Sequence, residues 1–216
     1  MHKDRSILII APDNNGISWA QEIQLIARKF NRPTILTGHV TLDLITTETV
    51  DIEVDIAYFV GHCSGKYAEL SNGEKWEVTD MLGTFRHIGA ELVFLNGCES
   101  ARPGVYFKHN GIPATIAWLN KVVDKRALRV SAYYFDKLEE VDDYSEAFSA
   151  VNPRDGSLEL FANGSYVHSG IKSVLKEMEL NRKLIKFILF SLMLLAIAFF
   201  YETYQISQLK QLLIQQ

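Results

Sequence analysis

Cysteine is scarce in this chain: 216 residues contain only Cys63 and Cys98, too few for a disulfide framework. There is no excess of one charge either, since 22 Lys and Arg face 26 Asp and Glu for a net charge of −4. No basic stripe interleaved with aromatics marks a nucleic-acid surface. Internal repeats and low-complexity segments are absent. Met1-His2-Lys3-Asp4-Arg5 leads straight into Ser6-Ile7-Leu8-Ile9-Ile10-Ala11, which is too short for a signal-peptide core and has no small-residue cleavage site. The N-terminal domain is therefore expected to stay in the cytosol, where thiols are reduced. A zinc site built from His62, Cys63 and Cys98 would lack the Cys-x-x-Cys or His-Glu-x-x-His spacing that makes such a site credible. No metal and no cofactor is expected.

Two short apolar runs carry the chemistry. Ile56-Ala57-Tyr58-Phe59-Val60 is followed by Gly61-His62-Cys63-Ser64-Gly65, and Leu92-Val93-Phe94-Leu95 by Asn96-Gly97-Cys98-Glu99-Ser100. Runs of this length, rich in branched and aromatic residues and ended by glycine, suit interior strands of a parallel sheet. In open α/β sheets reactive groups gather at the carboxyl ends of the strands. Neighbouring strands could thus deliver an imidazole and a thiol to one edge, the base–nucleophile pair that a cysteine hydrolase needs.

A long apolar segment lies near the C-terminus. Residues 184–201 are interrupted only by Lys186 and Ser191. Eighteen helical residues rise about 27 Å, slightly short of a hydrocarbon core of roughly 30 Å. Apolar residues occupy every side of the segment, as a membrane span requires. Residues 184–204 are read as a transmembrane helix, residues 169–183 as a basic juxtamembrane helix and residues 205–216 as a short tail. Lys172, Lys176, Arg182, Lys183 and Lys186 precede the apolar stretch, and only Lys210 follows it. Positive residues favour the cytoplasmic side, so a single-pass inner-membrane protein with a cytoplasmic N-terminal domain is expected. Residues 206–214 have apolar positions at helical spacing, suited to a membrane surface or to self-pairing.

Residues 1–168 alternate strand and helix signals. Strands are expected at 6–11, 33–37, 56–60, 92–95 and 112–119, with 41–49 fitting either helix or extended chain. Ser71-Asn72-Gly73 predicts a hairpin between 67–70 and 74–78, and Asn163-Gly164 a second one after 158–161. Helices are expected at 18–30 behind Ser18, at 79–87 behind Thr79, at 124–138 behind Asp124 and at 145–151. This alternation predicts an α/β sandwich with a largely parallel sheet.

The order of these elements resembles the caspase–separase clan of cysteine proteases, and within it the CHAT family. Leu95-Asn96-Gly97-Cys98-Glu99-Ser100 is similar to the family's small-residue–Cys–acid–Ser/Thr motif. Gly111-Ile112-Pro113-Ala114-Thr115-Ile116-Ala117-Trp118, Val123-Asp124-Lys125 and Ala132-Tyr133-Tyr134-Phe135-Asp136-Lys137-Leu138 follow the family order. The resemblance covers roughly residues 55–150. It implies a caspase-like α/β/α sandwich, with His62 as general base and Cys98 as nucleophile. It also implies that the backbone N–H groups of Cys63 and Cys98 receive the oxyanion. Asp13 stands where clan relatives place a residue of the primary specificity pocket. A carboxylate there would favour a basic P1 residue; Glu99 and Asp124 are further candidates, and each of the three is equally readable as a solvated loop or cap acid. One departure is plain: the family has glycine directly after the histidine, where this chain has Cys63.

Two functions follow as expectations. One is a membrane-anchored cysteine endopeptidase that cuts a cytosolic protein after activation by a partner or by clustering, in a bacterial conflict or phage-defence pathway. The other is a non-catalytic caspase-like interaction domain that recruits partners to the membrane or acts as a membrane effector.

Overall fold

The computed structural model describes residues 5–13, 19–151 and 156–162, all within the first of the two units into which the chain divides, Met1–Tyr166. The expected juxtamembrane helix, membrane span and tail lie outside the described residues, as does the Asn163-Gly164 turn. Among the described residues, no helix is long and apolar enough to cross a membrane.

The elements in chain order are β1 (Ile7–Pro12), α1 (Ala20–Ala27), β2 (Thr34–Gly38), α2 (Leu42–Thr49), β3 (Ile56–Val60), β4 (Tyr67–Glu69), β5 (Lys75–Glu77), α3 (Val78–His87), β6 (Leu92–Asn96), α4 (Ala101–His109), β7 (Ala114–Trp118), α5 (Asp124–Val141), α6 (Tyr144–Val151) and β8 (Leu158–Ala162). Six strands form one sheet in the order β2-β1-β3-β6-β7-β8. Its first five strands are parallel, and β8 runs antiparallel to β7 at the edge. Helices cover both faces, so the chain is an α/β protein with a mostly parallel central sheet.

Strand residues alternate between the two faces. Ile7, Ile9, Ile56, Tyr58, Leu92, Phe94, Ile116, Trp118, Leu158 and Leu160 pack with Ile23 and Ile26 of α1, Tyr134, Phe135 and Leu138 of α5, and Phe148 of α6. Edge-to-face rings organise this layer, with Tyr58 and Phe94 at 5.3 Å, and Phe94 and Tyr134 at 5.6 Å. Such pairs add about 1 kcal/mol beyond area burial. On the other face a chain of rings runs from Phe59 through Trp76 of β5 and Phe85 of α3 to Phe107 of α4. Both faces are buried, which explains why the interior strands read as continuous apolar runs.

Local signals explain most of the boundaries. Thr41 caps α2 by accepting from the Leu44 N–H at 3.2 Å, which resolves the ambiguous 41–49 segment as helix. The β4–β5 pair is antiparallel across Ser71–Gly73, a short 3-10 turn in which Asn72 and Gly73 have φ of 60° and 74°. Thr79 and Asp124 are not caps: Glu77 and Val123 precede α3 and α5 in extended conformation, and both residues lie inside the first turn. Helix α4 carries no apolar periodicity in sequence, because Pro103 and Gly104 interrupt it. Pro103 stands in the first turn, where a missing N–H costs little. Gly104 lets the helix lie on the sheet, since a Cβ there would meet the Ala117 Cβ at 3.0 Å and the Phe161 ring at 3.1 Å.

Candidate active site

Because β1, β3, β6 and β7 are parallel and adjacent, their carboxyl ends share one edge, and His62 and Cys98 both leave the sheet there. The register pairs Phe59 with Leu95 and Val60 with Asn96, so the two residues follow matched positions on neighbouring strands. The His62 imidazole is exposed. Among the described residues no hydrogen bond links it to Cys98. The Cys98 thiol is half-buried and turned towards the loop after β7: it donates to the Val122 carbonyl at 3.6 Å and receives the Val122 N–H at 3.4 Å.

Cys63 occupies the space between the two strand ends. It bridges to Ala68 through the bonds from Glu69 N–H to His62 O at 2.9 Å and from Ser64 N–H to Tyr67 O at 2.8 Å. That pattern turns the Cys63 N–H away from the β4–β5 hairpin. Among the described residues neither the Cys63 N–H nor the Cys98 N–H has an acceptor. The Cys63 side chain lies over Gly97, where a Cβ would fall 2.6 Å from its Sγ. Burial pushes the Cys63 thiol far up, and the charge of a nearby Cys98 thiolate raises it further. Burial thus disfavours the Cys63 thiolate, the form that attacks a carbonyl.

Three hydrogen bonds brace the loop that carries Cys98. Ser100 Oγ donates to Leu95 O at 3.0 Å and accepts from Trp118 N–H at 3.0 Å. The Glu99 N–H donates to Asn120 O at 3.3 Å, with Glu99 itself in the left-handed region at φ 54°. Beside this loop, Gly65, Glu99, Ala101, Arg102, Leu119 and Asn120 line an open cleft of about 260 Å³.

The three candidate substrate-binding carboxylates separate in space. Glu99 lines the cleft next to Cys98. Asp13 is exposed at the end of β1 and leans towards β2: its N–H donates to Gly38 O at 2.9 Å, and a Cβ at Gly38 would stand 3.9 Å from Asp13 Oδ2. Asp124 is exposed at the start of α5, close enough to Glu22 for its charge to raise the Glu22 carboxyl. Neither Asp13 nor Asp124 lines the cleft.

Sequence reasoning missed a buried polar network beneath this edge. Glu22 of α1 is only 3 % exposed. Its Oε1 accepts from Tyr58 Oη, from Asn96 Nδ2 at 2.5 Å and from Ser131 Oγ at 3.1 Å. Asn96 Oδ1 in turn accepts from Trp118 Nε1 at 2.6 Å. Burial raises the Glu22 carboxyl, the three donors oppose that, and Asp124 adds to it. Desolvation likewise pushes Tyr58 up, with Glu22 adding to the effect, so Tyr58 stays a donor. The network ties α1, β3, β6, β7 and α5 together at Asn96, two residues before Cys98. Glu22 stands one position from Ile23 on a helix whose other buried positions are apolar, so nothing local marked it as interior.

No protein-family model matches the chain, and no curated protein matches it in sequence.

Proposed function

We propose that this chain is a cysteine endopeptidase of the caspase-like, CHAT type, with Cys98 as nucleophile and His62 as general base. The supporting observation is the delivery of both residues to one sheet edge by the adjacent parallel strands β3 and β6. The Cys98 thiolate attacks the scissile carbonyl, and the developing oxyanion is received by the Cys63 and Cys98 N–H groups, each donor worth about 3 kcal/mol. His62 passes its proton to the leaving amine, and water then releases the acyl group. The exposed imidazole reaches the thiol when substrate is bound, since catalytic hydrogen bonds commonly tighten only in the complex. The substrate is a cytosolic protein, and the peptidase itself is held at the membrane by its segment at 184–204. A partner or clustering supplies activation, in a bacterial conflict or phage-defence pathway.

Two observations favour a second reading, a non-catalytic caspase-like domain that recruits partners to the membrane or acts there as an effector. The Cys98 sulfur is engaged with Val122, and Cys63 fills the place of the family's glycine. A thiol-reactive peptide probe separates the two. With the full chain, labelling should be lost in Cys98→Ala, reduced about 100-fold or more in His62→Ala, and retained in Cys63→Ala. Labelling of Cys98 that is indifferent to His62 would favour the second reading. A dead Cys63→Ala beside an active Cys98→Ala would reverse the roles.

A further inference from the structure

The chain's only two cysteines lie 35 positions apart, yet both come to one spot on the sheet edge. Cys63 rests on Gly97, the residue directly before Cys98, so closely that a Cβ at Gly97 would stand 3.1 Å from the Cys63 Cβ and 2.6 Å from its Sγ. The Gly61 carbonyl is equally close to that position, at 2.5 Å, so the two chains remain side by side past the last paired residues, Val60 and Asn96. The two thiols are near enough for the charge of Cys98 to act on Cys63; the Cys98 sulfur rests against Val122 and must turn towards β3 for a disulfide to close. Both thiols are free and half-buried.

We propose that Cys63 and Cys98 form a peroxide-responsive dithiol, in which Cys63 resolves the oxidised form of Cys98 as a reversible intramolecular disulfide. The Cys98 thiolate attacks one oxygen of a hydroperoxide; an S–O bond forms, the O–O bond breaks, and the departing hydroxide or alkoxide takes up the proton that Cys98 released, leaving as water or an alcohol. Cys63 sulfur then attacks the sulfenic sulfur; the S–S bond forms, the S–O bond breaks, and the departing hydroxide takes the Cys63 proton as water. For hydrogen peroxide, two thiols and one peroxide give one disulfide and two waters. Burial keeps Cys63 protonated, so it is passed over by peroxide itself, and this divides the roles. A thiol with a resolving partner is protected from the irreversible sulfinic and sulfonic stages. The inference concerns the covalent state of the two sulfurs and stands whether or not the edge cleaves peptides.

The test is treatment of the reduced full chain with graded hydrogen peroxide, followed by digestion without reductant and mass spectrometry. Wild type should lose two hydrogens and yield a linked Cys63–Cys98 peptide that a dithiol reductant restores. Cys63→Ser should instead gain two oxygens at Cys98 as sulfinic acid. The linked peptide should also form at least about tenfold faster in the native chain than in urea, because the fold supplies the proximity; this arm needs no variant to fold. Sulfinic acid at Cys98 appearing equally in wild type and Cys63→Ser would overturn the proposal. So would a link formed only between copies or only in urea.

Discussion

Replacing Gly97 with alanine presses a methyl group into the tightest point of the sheet edge. The new Cβ would lie 2.5 Å from the Gly61 carbonyl oxygen, 2.6 Å from Cys63 Sγ and 3.1 Å from Cys63 Cβ. Comfortable separations are about 3.5–4.0 Å, so relief requires the ends of β3 and β6 to part by roughly an ångström. One obstacle is backbone, which no rotamer change can move. Overpacking of this kind costs about 1–3 kcal/mol, and two hard contacts put Gly97→Ala near the upper end, about 3 kcal/mol or a hundredfold in the folding equilibrium. Adding Cys63→Ala removes the sulfur but leaves the Gly61 oxygen, so the double variant should recover only part of the loss. Gly83, exposed in α3 with nothing within 4 Å of its would-be Cβ, is the control: Gly83→Ala should gain about 0.5–1 kcal/mol through helix propensity. Urea unfolding followed by tryptophan fluorescence reads all four chains, since Trp76 and Trp118 are 1 % and 0 % exposed. A Gly97→Ala midpoint equal to that of wild type would refute the close approach of the two strand ends, and with it the placement of Cys63.

Two further outcomes are expected. The Glu22 carboxyl is raised by burial, so its contribution to stability is full below the ordinary carboxylate range and is lost as pH rises through the folded value. As pH rises above the ordinary carboxylate range, wild type should therefore lose stability relative to Glu22→Gln; denaturant midpoints measured across a pH series check the sign, and a difference independent of pH would mean that Glu22 does not titrate there. In the segment read as a membrane span, Leu194→Lys with Leu195→Lys should move the chain from the membrane to the soluble fraction, at about 3 kcal/mol per central lysine. Cell fractionation decides it, and wild type found wholly outside the membrane fraction would remove the anchor from the proposed function.

The apolar runs at 56–60 and 92–95 were legible as buried strands because interior parallel strands are covered on both faces and need no polar alternation. His62 and Cys98 stood out for the same reason, as polar groups directly past such runs, and the Ser71-Asn72-Gly73 turn was legible from the residues that tolerate positive φ. Helix α4 was not, because Pro103 and Gly104 erase the helical pattern although the first turn accepts the proline and the packing against Ala117 and Phe161 calls for the glycine. The neighbouring delivery of His62 and Cys98 was legible, but the full order β2-β1-β3-β6-β7-β8 was not, because hairpins and helices intervene in sequence and only tertiary packing fixes which strands meet. That packing alone buried Glu22 among Tyr58, Asn96 and Ser131, a cluster drawn from four elements with no common spacing. It also decided which groups meet at the edge. Spacing along the chain named His62 and Cys98, whereas side-chain direction turned the imidazole outward and laid Cys63 on Gly97, because direction at a strand end depends on the turn that follows and on what the neighbouring strand leaves open.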